Sequence, residues 1–494
     1  MPSYSSINLH PSTHPISSLK THTFDVICIG SGWAGRVTAA RVVKTGLTAL
    51  IIEQELVGGD CPFWACVPSK AILRPNEALE AARAVTGVGE KVAEGGVVVE
   101  SVWKRRDDFT GMFDDTKLLV PMVENSGVTL VRGKGKLVGV KKVSVVALDG
   151  SEVELEARVA VAICTGSEPA IPDPLKAVNP WTPREATSSS TVPEHLVIVG
   201  AGAVGTEMAT AYSSFGSKVT LISSTKEILP KIDEEGAKLV RESLTSKGVN
   251  VILATKVTDA AREADNSVKV TLSNGSTFSA NEILVAAGRR AQTANIGLES
   301  FGLKGDGSFL PVEESLRVTS VPGKWLYAGG DVNGRAPLTH SSKYHGRIIS
   351  NAISADFNNS PTSTTEWSRV TATADRLATP AVIFTDPAVA SVGLTRKAAQ
   401  KAGIKFKEIN APVATLGAML HAEGYAAGWA QWIVDQQSNK LLGATFVGKE
   451  VADLLHASTV AVVGGMTLEQ LSHAIPSFPT TSEVYLDLLD AAGL

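Results

Sequence analysis

Two cysteines with four residues between them are the side chains of this chain that point most directly to chemistry. Cys61 and Cys66 lie in the segment GGDCPFWACVPSK, residues 58–70. Five positions along a helix place two side chains on neighbouring turns, so a distorted helix start would bring the sulfurs within disulfide distance. A helix N-terminus also lowers the pKa of a thiol and favours the reactive thiolate. The pair is therefore a candidate redox centre.

The two remaining cysteines, Cys28 and Cys164, lie in apolar runs that are typical of buried strands. We expect them to be inert core thiols. A metal site at Cys61 and Cys66 would need further soft ligands nearby, so we expect no metal. Four cysteines in 494 residues exclude a disulfide scaffold. This usage favours a reducing compartment, and we expect a cytoplasmic protein, although the Ser-rich N-terminus leaves organelle import open.

A glycine-rich turn precedes the cysteine pair and has the pattern of a nucleotide-binding loop. The apolar run Phe24–Ile29 leads into a G-x-G-x-x-G turn formed by Gly30, Gly32 and Gly35. A second apolar run ends at Glu53, about 20 residues further on, as dinucleotide-binding folds require. Such glycines let the backbone approach a pyrophosphate, and the carboxylate accepts hydrogen bonds from ribose hydroxyls.

The same order of elements recurs later in the chain. The run LVIV leads into Gly200, Gly202 and Gly205, and the run KVTLI ends at Ser223. An acidic residue at that end would select a free ribose 2′-hydroxyl, whereas Ser223 and Lys226 offer a donor and a positive charge. Two such units indicate two nucleotide cofactors, and the second unit favours NADPH over NADH.

The composition is that of an ordinary globular protein. Hydrophobic residues make up 44%, charged residues 19%, and the net charge is −4. A chain so close to neutral has no overall field to hold nucleic acid or an anionic membrane. No uninterrupted apolar run reaches the ~20 residues needed to cross a bilayer. We therefore expect a small-molecule substrate, no nucleic-acid or membrane partner, and about three or four domains.

The segment around the cysteines resembles the redox-disulfide motif of the class I pyridine nucleotide–disulfide oxidoreductases. That family includes dihydrolipoamide dehydrogenase, glutathione reductase and mercuric reductase. The resemblance covers nearly the whole chain after the N-terminal segment. The other segments that resemble family motifs are TGSEP at 165–169, AGRR at 287–290, YAGGDV at 327–332, FTDP at 384–387 and SVG at 391–393.

The resemblance implies an α/β fold with two Rossmann-like dinucleotide-binding domains, for FAD and NAD(P), and a C-terminal α+β dimerisation domain. It also implies a homodimer. The predicted divisions are a flexible N-terminal tail (1–22), the first part of the FAD-binding domain with the cysteine pair (23–168), the NAD(P)-binding domain (169–292), the second part of the FAD-binding or central domain (293–366) and the dimerisation domain (370–494).

By position, the resemblance implies that Cys66 is the flavin-proximal thiol and Cys61 the exposed interchange thiol. It places Lys70 beside the flavin N5, paired with Glu207, where hydride arrives from the nicotinamide. In such enzymes the cofactors carry the difficult chemistry and the protein positions them. Besides the two fingerprints, the residues expected at the cofactors are Gly59, Thr165, Gly166, Gly288, Arg289, Gly330 and Asp331, the last of which meets the ribityl chain.

The C-terminus departs from the family pattern His-Pro-Thr-x-Ser-Glu. The matching stretch is FPTTSE, so Phe478 stands where the family has its catalytic His, while Glu483 persists. A phenyl ring cannot transfer a proton. His473 lies five residues earlier and is a candidate substitute, with a structural or exposed His as the alternative. His340 and His345, which follow the second flavin motif, are weaker candidates.

We expect an FAD- and NAD(P)-dependent oxidoreductase that passes electrons between nicotinamide, flavin, the Cys61–Cys66 pair and a non-standard substrate. That substrate is an unusual disulfide or dithiol, or a specialised metabolite, because general acid–base catalysis typically contributes ~10²–10⁴ in rate and its loss would cripple ordinary disulfide reduction. Two alternatives stay open. One is a flavin-direct dehydrogenase or quinone or oxygen reductase that bypasses Cys61, and the other is a non-catalytic flavoprotein scaffold.

Overall fold

The structure is a computed structural model that describes residues 4–421 and 428–494. Its first domain is built on a parallel sheet that begins with the predicted strand. In chain order the elements are β1 (Thr23–Ile29), α1 (Trp33–Val43), β2 (Ala49–Glu53), α2 (Asp60–Phe63), α3 (Cys66–Arg83), α4 (Val99–Phe109), α5 (Leu119–Asn125), β3 (Thr129–Arg132), β4 (Lys134–Gly139), β5 (Lys142–Val146) and β6 (Glu152–Ile163).

Strands β3, β2, β1 and β6 of this sheet are parallel neighbours, and β5 and β4 extend it in antiparallel order. Strand β1 is apolar from Val26 to Ile29 because both of its faces are covered there, as is usual for a central parallel strand. Helix α1 can approach the sheet closely at Gly35, where a methyl group would collide with the Gly30 carbonyl oxygen. The first glycine loop therefore lies at the carboxyl edge of β1.

The second domain repeats the arrangement on a smaller sheet, with strand order β10–β9–β8–β14 in parallel and a separate antiparallel sheet β11–β12–β13. Its elements are β7 (Ser167–Pro169), α6 (Asp173–Lys176), α7 (Pro183–Ser188), β8 (His195–Val199), α8 (Ala203–Ser214), β9 (Lys218–Ile222), α9 (Glu234–Ser246), β10 (Asn250–Ile252), β11 (Val257–Arg262), β12 (Val268–Leu272), β13 (Thr277–Ala280), β14 (Glu282–Val285) and β15 (Arg289–Ala291).

The chain then returns to the first domain through β16 (Leu326–Ala328) and α10 (Thr339–Phe357). Strand β16 pairs in parallel with β6, so the glycines that follow it lie at the same sheet edge as Gly30. Helix α10 packs along α1, and Gly346 allows the close approach because a methyl group there would lie 2.7 Å from the Val37 Cβ. This return brings two distant parts of the sequence to the same sheet edge.

The C-terminal domain is an antiparallel sheet in the order β17–β18–β21–β20–β19, packed against helices. Trp432 and Phe446 are fully buried in its core. Its elements are α11 (Ala374–Leu377), β17 (Pro380–Ile383), β18 (Ala388–Gly393), α12 (Arg396–Lys401), β19 (Phe406–Pro412), α13 (Leu416–His421), β20 (Trp429–Asp435), β21 (Leu441–Gly448), α14 (Val451–Gly464), α15 (Leu468–Leu471) and α16 (Val484–Ala492).

The N-terminal segment makes defined contacts with the first domain, where the sequence predicts a flexible tail. The Tyr4 ring lies 5.4 Å from the Trp64 ring in an edge-on arrangement. His14 Nε2 lies 2.9 Å from Glu124 Oε1, and the Arg132 amide donates to the His14 carbonyl oxygen. Residues 1–3 lie outside the described part of the chain. Across the described residues, no helix combines the length and apolarity that a membrane crossing demands.

Candidate active site

Cys61 and Cys66 lie on two different helices rather than on one distorted helix. Helix α2 holds Cys61 and ends at Phe63, and Cys66 is the first residue of α3. Between them Ala65 leaves helical geometry, with φ −130° and ψ −106°. This break folds the short helix back, so that the two half-buried thiols hydrogen bond to each other.

The surroundings of Cys61 favour its thiolate. Its pKa is lowered to about 6, first by the hydrogen bond from Cys66, with smaller contributions from Thr339, Trp33 and the positive charge of Arg36, which together outweigh burial. The pKa of Cys66 is raised because its proton is the one that stabilises the Cys61 sulfur. Cys66 Sγ also lies 3.2 Å from the Thr339 Oγ1 at the start of α10. The two thiols therefore ionise as a pair, and the donors and the cation around Cys61 favour the loss of one proton from that pair.

A stack of two cations on one indole lies beside Cys61. The Arg36 guanidinium is 4.2 Å from the Trp33 ring centroid, and the Lys343 Nζ is 3.8 Å from it. Arg36 is only 7% exposed, and its Nε and Nη2 have no hydrogen-bond partner within the described residues. Burial lowers the pKa of Arg36 to about 10, so the group remains charged at neutral pH. The site is thus electropositive.

Cys28 and Cys164 lie in the core of the first domain, as the sequence predicts. Both are buried. Burial raises the pKa of Cys164 to about 12 and also raises that of Cys28 well above its usual value. Neither thiol is activated. Among the described residues, no group of three or more His, Cys, Asp or Glu side chains is arranged to hold a metal ion.

Lys70 and Glu207 form an ion pair that joins the first two domains. The Lys70 Nζ lies 2.8 Å from Glu207 Oε2 and 3.0 Å from Oε1. Glu207, on α8, is 7% exposed at its side chain and also accepts from the Phe384 amide at 3.0 Å. The Lys70 Nζ lies 4.8 Å from the Phe384 ring centroid. The pair is therefore held in one position, one helical turn beyond Cys66.

The first glycine loop has the shape that a bound dinucleotide needs. A methyl group at Gly30 would collide with the Cys164 carbonyl oxygen, whereas one at Gly32 would meet nothing within 4 Å. Glu53 is buried and accepts from the Ser31 amide at 2.8 Å and from the Ser31 hydroxyl at 2.6 Å. The loop backbone thus packs closely against the sheet at Gly30, and Gly32 faces free space away from the sheet. Gly59, with φ +70°, lies against Gly32 from the other side.

The second loop has the same construction. A methyl group at Gly205 would collide with the Gly200 carbonyl oxygen, and Gly202 faces open space. At the end of β9 the Ser223 side chain is buried and its hydroxyl lies 2.7 Å from the Thr225 Oγ1. Lys226 is exposed. The hydroxyl of Ser223 is therefore held by its neighbour, and the mobile donor at this end is Lys226.

A polar network connects the second flavin motif to the cysteine helix. Ser167 Oγ donates to Asp331 Oδ2 at 2.7 Å. Arg289 donates to the Ser167 hydroxyl and, through Nη2, to Asp60 Oδ2, both at 2.6 Å. Asp60 immediately precedes Cys61 and also pairs with Arg184 at 3.2 Å. The network therefore couples the position of α2 to the second domain.

Four more of the expected cofactor residues lie at the junction between the first two domains. Thr165 donates its hydroxyl to the Gln292 carbonyl oxygen at 2.7 Å. Gly166, Gly288 and Gly330 adopt positive φ angles of 77°, 129° and 81°, which favour glycine. These turns direct the chain across the ends of the strands, where the two glycine loops open.

At the C-terminus the structure does not connect His473 to Glu483. His473 is exposed, and within the described residues its ring makes no hydrogen bond or ion pair. Glu483 Oε2 is buried without a hydrogen-bond partner in the same part of the chain. Phe478 is 67% exposed and Ile475 is 89% exposed. This segment thus presents apolar side chains where the family pattern has an acid–base pair.

Two family models match the chain in consecutive segments. Residues 24–346 match the pyridine nucleotide-disulphide oxidoreductase model, and residues 379–488 match the dimerisation domain of pyridine nucleotide-disulphide oxidoreductases. The chain belongs to this family. The predicted family, α/β fold and oxidoreductase class are therefore confirmed, and so is the FAD dependence that the family carries. The dimerisation domain supports a homodimer.

The relatives of this pyridine nucleotide–disulfide oxidoreductase match it over nearly their whole length. Dihydrolipoyl dehydrogenase 3 of Pseudomonas putida is 32% identical over 483 residues, which covers 93% of this chain and 96% of that protein. The dihydrolipoyl dehydrogenase of Chlamydia trachomatis is 29% identical over 469 residues, covering 94% and 96%. The long alignments agree with the domain order described above.

Solved structures share the fold at lower sequence identity. The HOCl-induced flavoprotein disulfide reductase RclA of Escherichia coli, solved as a Cu(II) complex, gives a TM-score of 0.79 at 22% identity and covers 95% of this chain and 99% of RclA. LpdA of Mycobacterium tuberculosis gives 0.78 at 23% identity, covering 96% and 99%. At these identities the likeness concerns the fold.

Sequence reasoning missed several residues of the site. In the sequence Trp33 occupies a variable position of the first glycine pattern, and Arg36 follows the last glycine of that pattern. A bulky aromatic side chain and a cation in this small-residue turn were signals that could have drawn attention. Thr339, 273 positions from Cys66, gave no local signal, because only the packing of α10 brings it there.

Proposed function

We propose that this oxidoreductase draws on NADPH, uses Cys61 and Cys66 as its redox sulfurs, and acts on a small molecule other than lipoamide or glutathione disulfide. The carrying observation is that Cys61 is provided with hydrogen-bond donors and a nearby cation, while the C-terminal segment offers Phe478 in place of a base. A thiolate that is already formed needs no general base to become nucleophilic. We also propose that the protein works in the cytoplasm, where thiols remain reduced.

The thiol chemistry of the proposal balances as an exchange of two electrons. The Cys61 thiolate attacks one sulfur of a substrate disulfide, forms a mixed disulfide and expels the first substrate thiolate. The Cys66 sulfur then attacks Cys61, closes the Cys61–Cys66 disulfide and expels the second. The first substrate thiolate takes up the proton that Cys66 releases, and the Thr339 hydroxyl, at 3.2 Å from Cys66 Sγ, hydrogen bonds to the sulfur as it becomes charged. With a dithiol as substrate the same steps run in reverse.

The residues that would hold FAD are those of the first glycine loop, Glu53 and Asp331, and they fit the group. The loop opens outward at Gly32, and Arg36 has two buried donors available for an anion. When bound, FAD supplies the two-electron chemistry that links nicotinamide to the sulfur pair. Lys70, fixed by Glu207, brings a positive charge to the helix that carries Cys66.

The preference for NADPH is supported by the charges at the end of β9. Ser223 leaves this position without a carboxylate. The nearby carboxylate, Glu227, pairs with Arg241 at 2.8 Å. Lys226 is exposed beside them and can pair with a 2′-phosphate. A site of this charge attracts the phosphate of NADPH and gains nothing specific from the free hydroxyl of NADH.

Anaerobic titration of the flavin-loaded protein tests the proposal. NADPH should bleach the flavin absorption at a rate about tenfold above that with NADH. Ser223→Glu should reverse the preference. Equal or faster reduction by NADH would refute the NADPH assignment, and no reduction by either nicotinamide would indicate a non-catalytic scaffold.

Substitution of the interchange thiol separates disulfide chemistry from a flavin-direct route. Cys61→Ser should still be reduced by NADPH but should lose turnover of disulfide or dithiol substrates. The matched control is Cys28→Ser, because Cys28 is buried and burial raises its pKa well above the usual value. Full turnover by Cys61→Ser would instead assign the reaction to direct transfer from the flavin to a quinone or oxygen.

A further inference from the structure

A buried imidazole lies between the second flavin motif and a carboxylate on a separate element. His345, on the second turn of α10, has a side chain that is 0% exposed. The Gly330 amide lies 3.0 Å from its Nδ1, and Asp375 Oδ2 lies 2.8 Å from its Nε2. Both ring nitrogens are therefore engaged, and neither contacts the cysteine pair.

The partners determine which nitrogen carries the proton. A backbone N–H can only donate, so Nδ1 of His345 must accept from Gly330. Nε2 then carries the hydrogen and donates to Asp375. Asp375 is itself buried and pairs with Arg335 Nε at 3.1 Å, so its charge is compensated. The chain from Arg335 through Asp375 and His345 ends at the Gly330 N–H, and Asn333 Nδ2 lies 3.4 Å from the same Nδ1 of His345.

The peptide that His345 holds sets the direction of the flavin-binding carboxylate. Gly330 has a positive φ of 81° and is followed by Asp331, which begins a short turn. Asn333 Nδ2 donates to the Ala328 carbonyl oxygen and closes that turn from within. Rotation of the Gly330 peptide would therefore move the Asp331 side chain away from Ser167, which donates to it.

We propose that His345 is a positioning residue for the flavin site, and that its acceptor nitrogen, rather than its volume, holds the Gly330–Asp331 turn ready to bind FAD. The inference rests on the FAD site proposed above. A buried N–H without an acceptor costs free energy and turns to find one. Loss of the acceptor at residue 345 therefore disorders the turn, while loss of the donor towards Asp375 leaves the turn in place.

Two substitutions of similar size separate the two nitrogens. In His345→Asn the side-chain oxygen takes about the position of Nδ1 and accepts from Gly330. In His345→Gln the terminal amide takes about the position of Nε2 and serves Asp375 alone. We expect His345→Gln to raise the dissociation constant for FAD about tenfold, and His345→Asn to change it less than about threefold. The measurement is the fluorescence of FAD released from the diluted holoenzyme.

The melting temperature of each apoprotein shows whether an effect is merely structural. The inference fails if both variants bind FAD as tightly as the wild type, or if both weaken it equally. It also fails if the wild-type holoenzyme shows a protonated Nδ1 at His345 by ¹⁵N NMR, a measurement that needs no variant to fold. A wild-type protein that takes up no FAD would instead refute the proposed function, which is a distinguishable result.

Discussion

Removal of the Cys66 thiol should deprive Cys61 of most of its acidity. The hydrogen bond from Cys66 is the largest cause of the lowered Cys61 pKa, which falls from 9.0 to about 6. At pH 7 a thiol of pKa 6 is about nine-tenths thiolate, whereas one of pKa 9 is about one-hundredth thiolate. Since Thr339, Trp33 and Arg36 remain in Cys66→Ala, we expect a partial return and at least a roughly tenfold loss of thiolate at pH 7.

The assay is the pH dependence of iodoacetamide alkylation at Cys61 in the reduced holoenzyme, with the modified residue located by mass spectrometry. Cys66→Ser is the matched control because its hydroxyl keeps a donor, and it should shift the alkylation pKa less than Cys66→Ala does. An alkylation pKa that stays near 6 in Cys66→Ala would refute the assignment of the charge to Cys61.

Three further predictions concern the proton donor, the hydride site and acid stability. Phe478→His should restore a partner for Glu483 and raise the rate of dihydrolipoamide oxidation at least about tenfold. The pH profile of that rate should show a new pKa near 6.5. An unchanged profile would show that Glu483 cannot orient the introduced imidazole. Lys70→Met should slow flavin reduction by NADPH about tenfold in stopped-flow measurements. The alkylation pKa of Cys61 should stay within about half a unit of the wild-type value. An undiminished rate of flavin reduction would show that Lys70 does not act at the hydride site. The hydrogen bond from Arg158 lowers the pKa of Asp25 from 3.8 to about 2. The charged Asp25 therefore stabilises the folded state by about 1 kcal/mol after solvent screening, and this stabilisation is present above pH 4 and lost as the pH falls towards 2. Asp25→Asn should therefore lower the melting temperature at pH 7 but not at pH 2, and an equal loss at both would contradict the linkage.

The strands and glycine loops could be predicted because their signals are local. The run KVTLI forms β9 at Lys218–Ile222 as expected, and the first predicted strand begins one residue early, at Thr23. A buried parallel strand is mostly apolar, and a turn that faces a pyrophosphate has glycine where the backbone must approach it. These requirements leave a pattern in a few consecutive residues, which the sequence displays directly.

The surroundings of the redox pair could not be predicted in the same way. Pro68 gives a local signal for a helix start near Cys66, because proline has no amide hydrogen to continue a helix from α2. The direction in which α2 folds back depends on how it packs. Arg36 lies beside Cys61 only because α1 and α2 meet at the sheet edge. His345 lies 15 positions from Gly330 on a different element. Such contacts arise from tertiary packing, which periodicity and spacing do not encode.

One carboxylate oxygen of Glu207 serves two neighbours from different modules. It receives the ammonium of Lys70 from the domain with the redox helix and the amide of Phe384 from the dimerisation domain, while its own helix belongs to the nicotinamide domain. Those three modules thus meet at a single shared atom. A change at Glu207 consequently releases the redox helix and the dimerisation domain from the same contact.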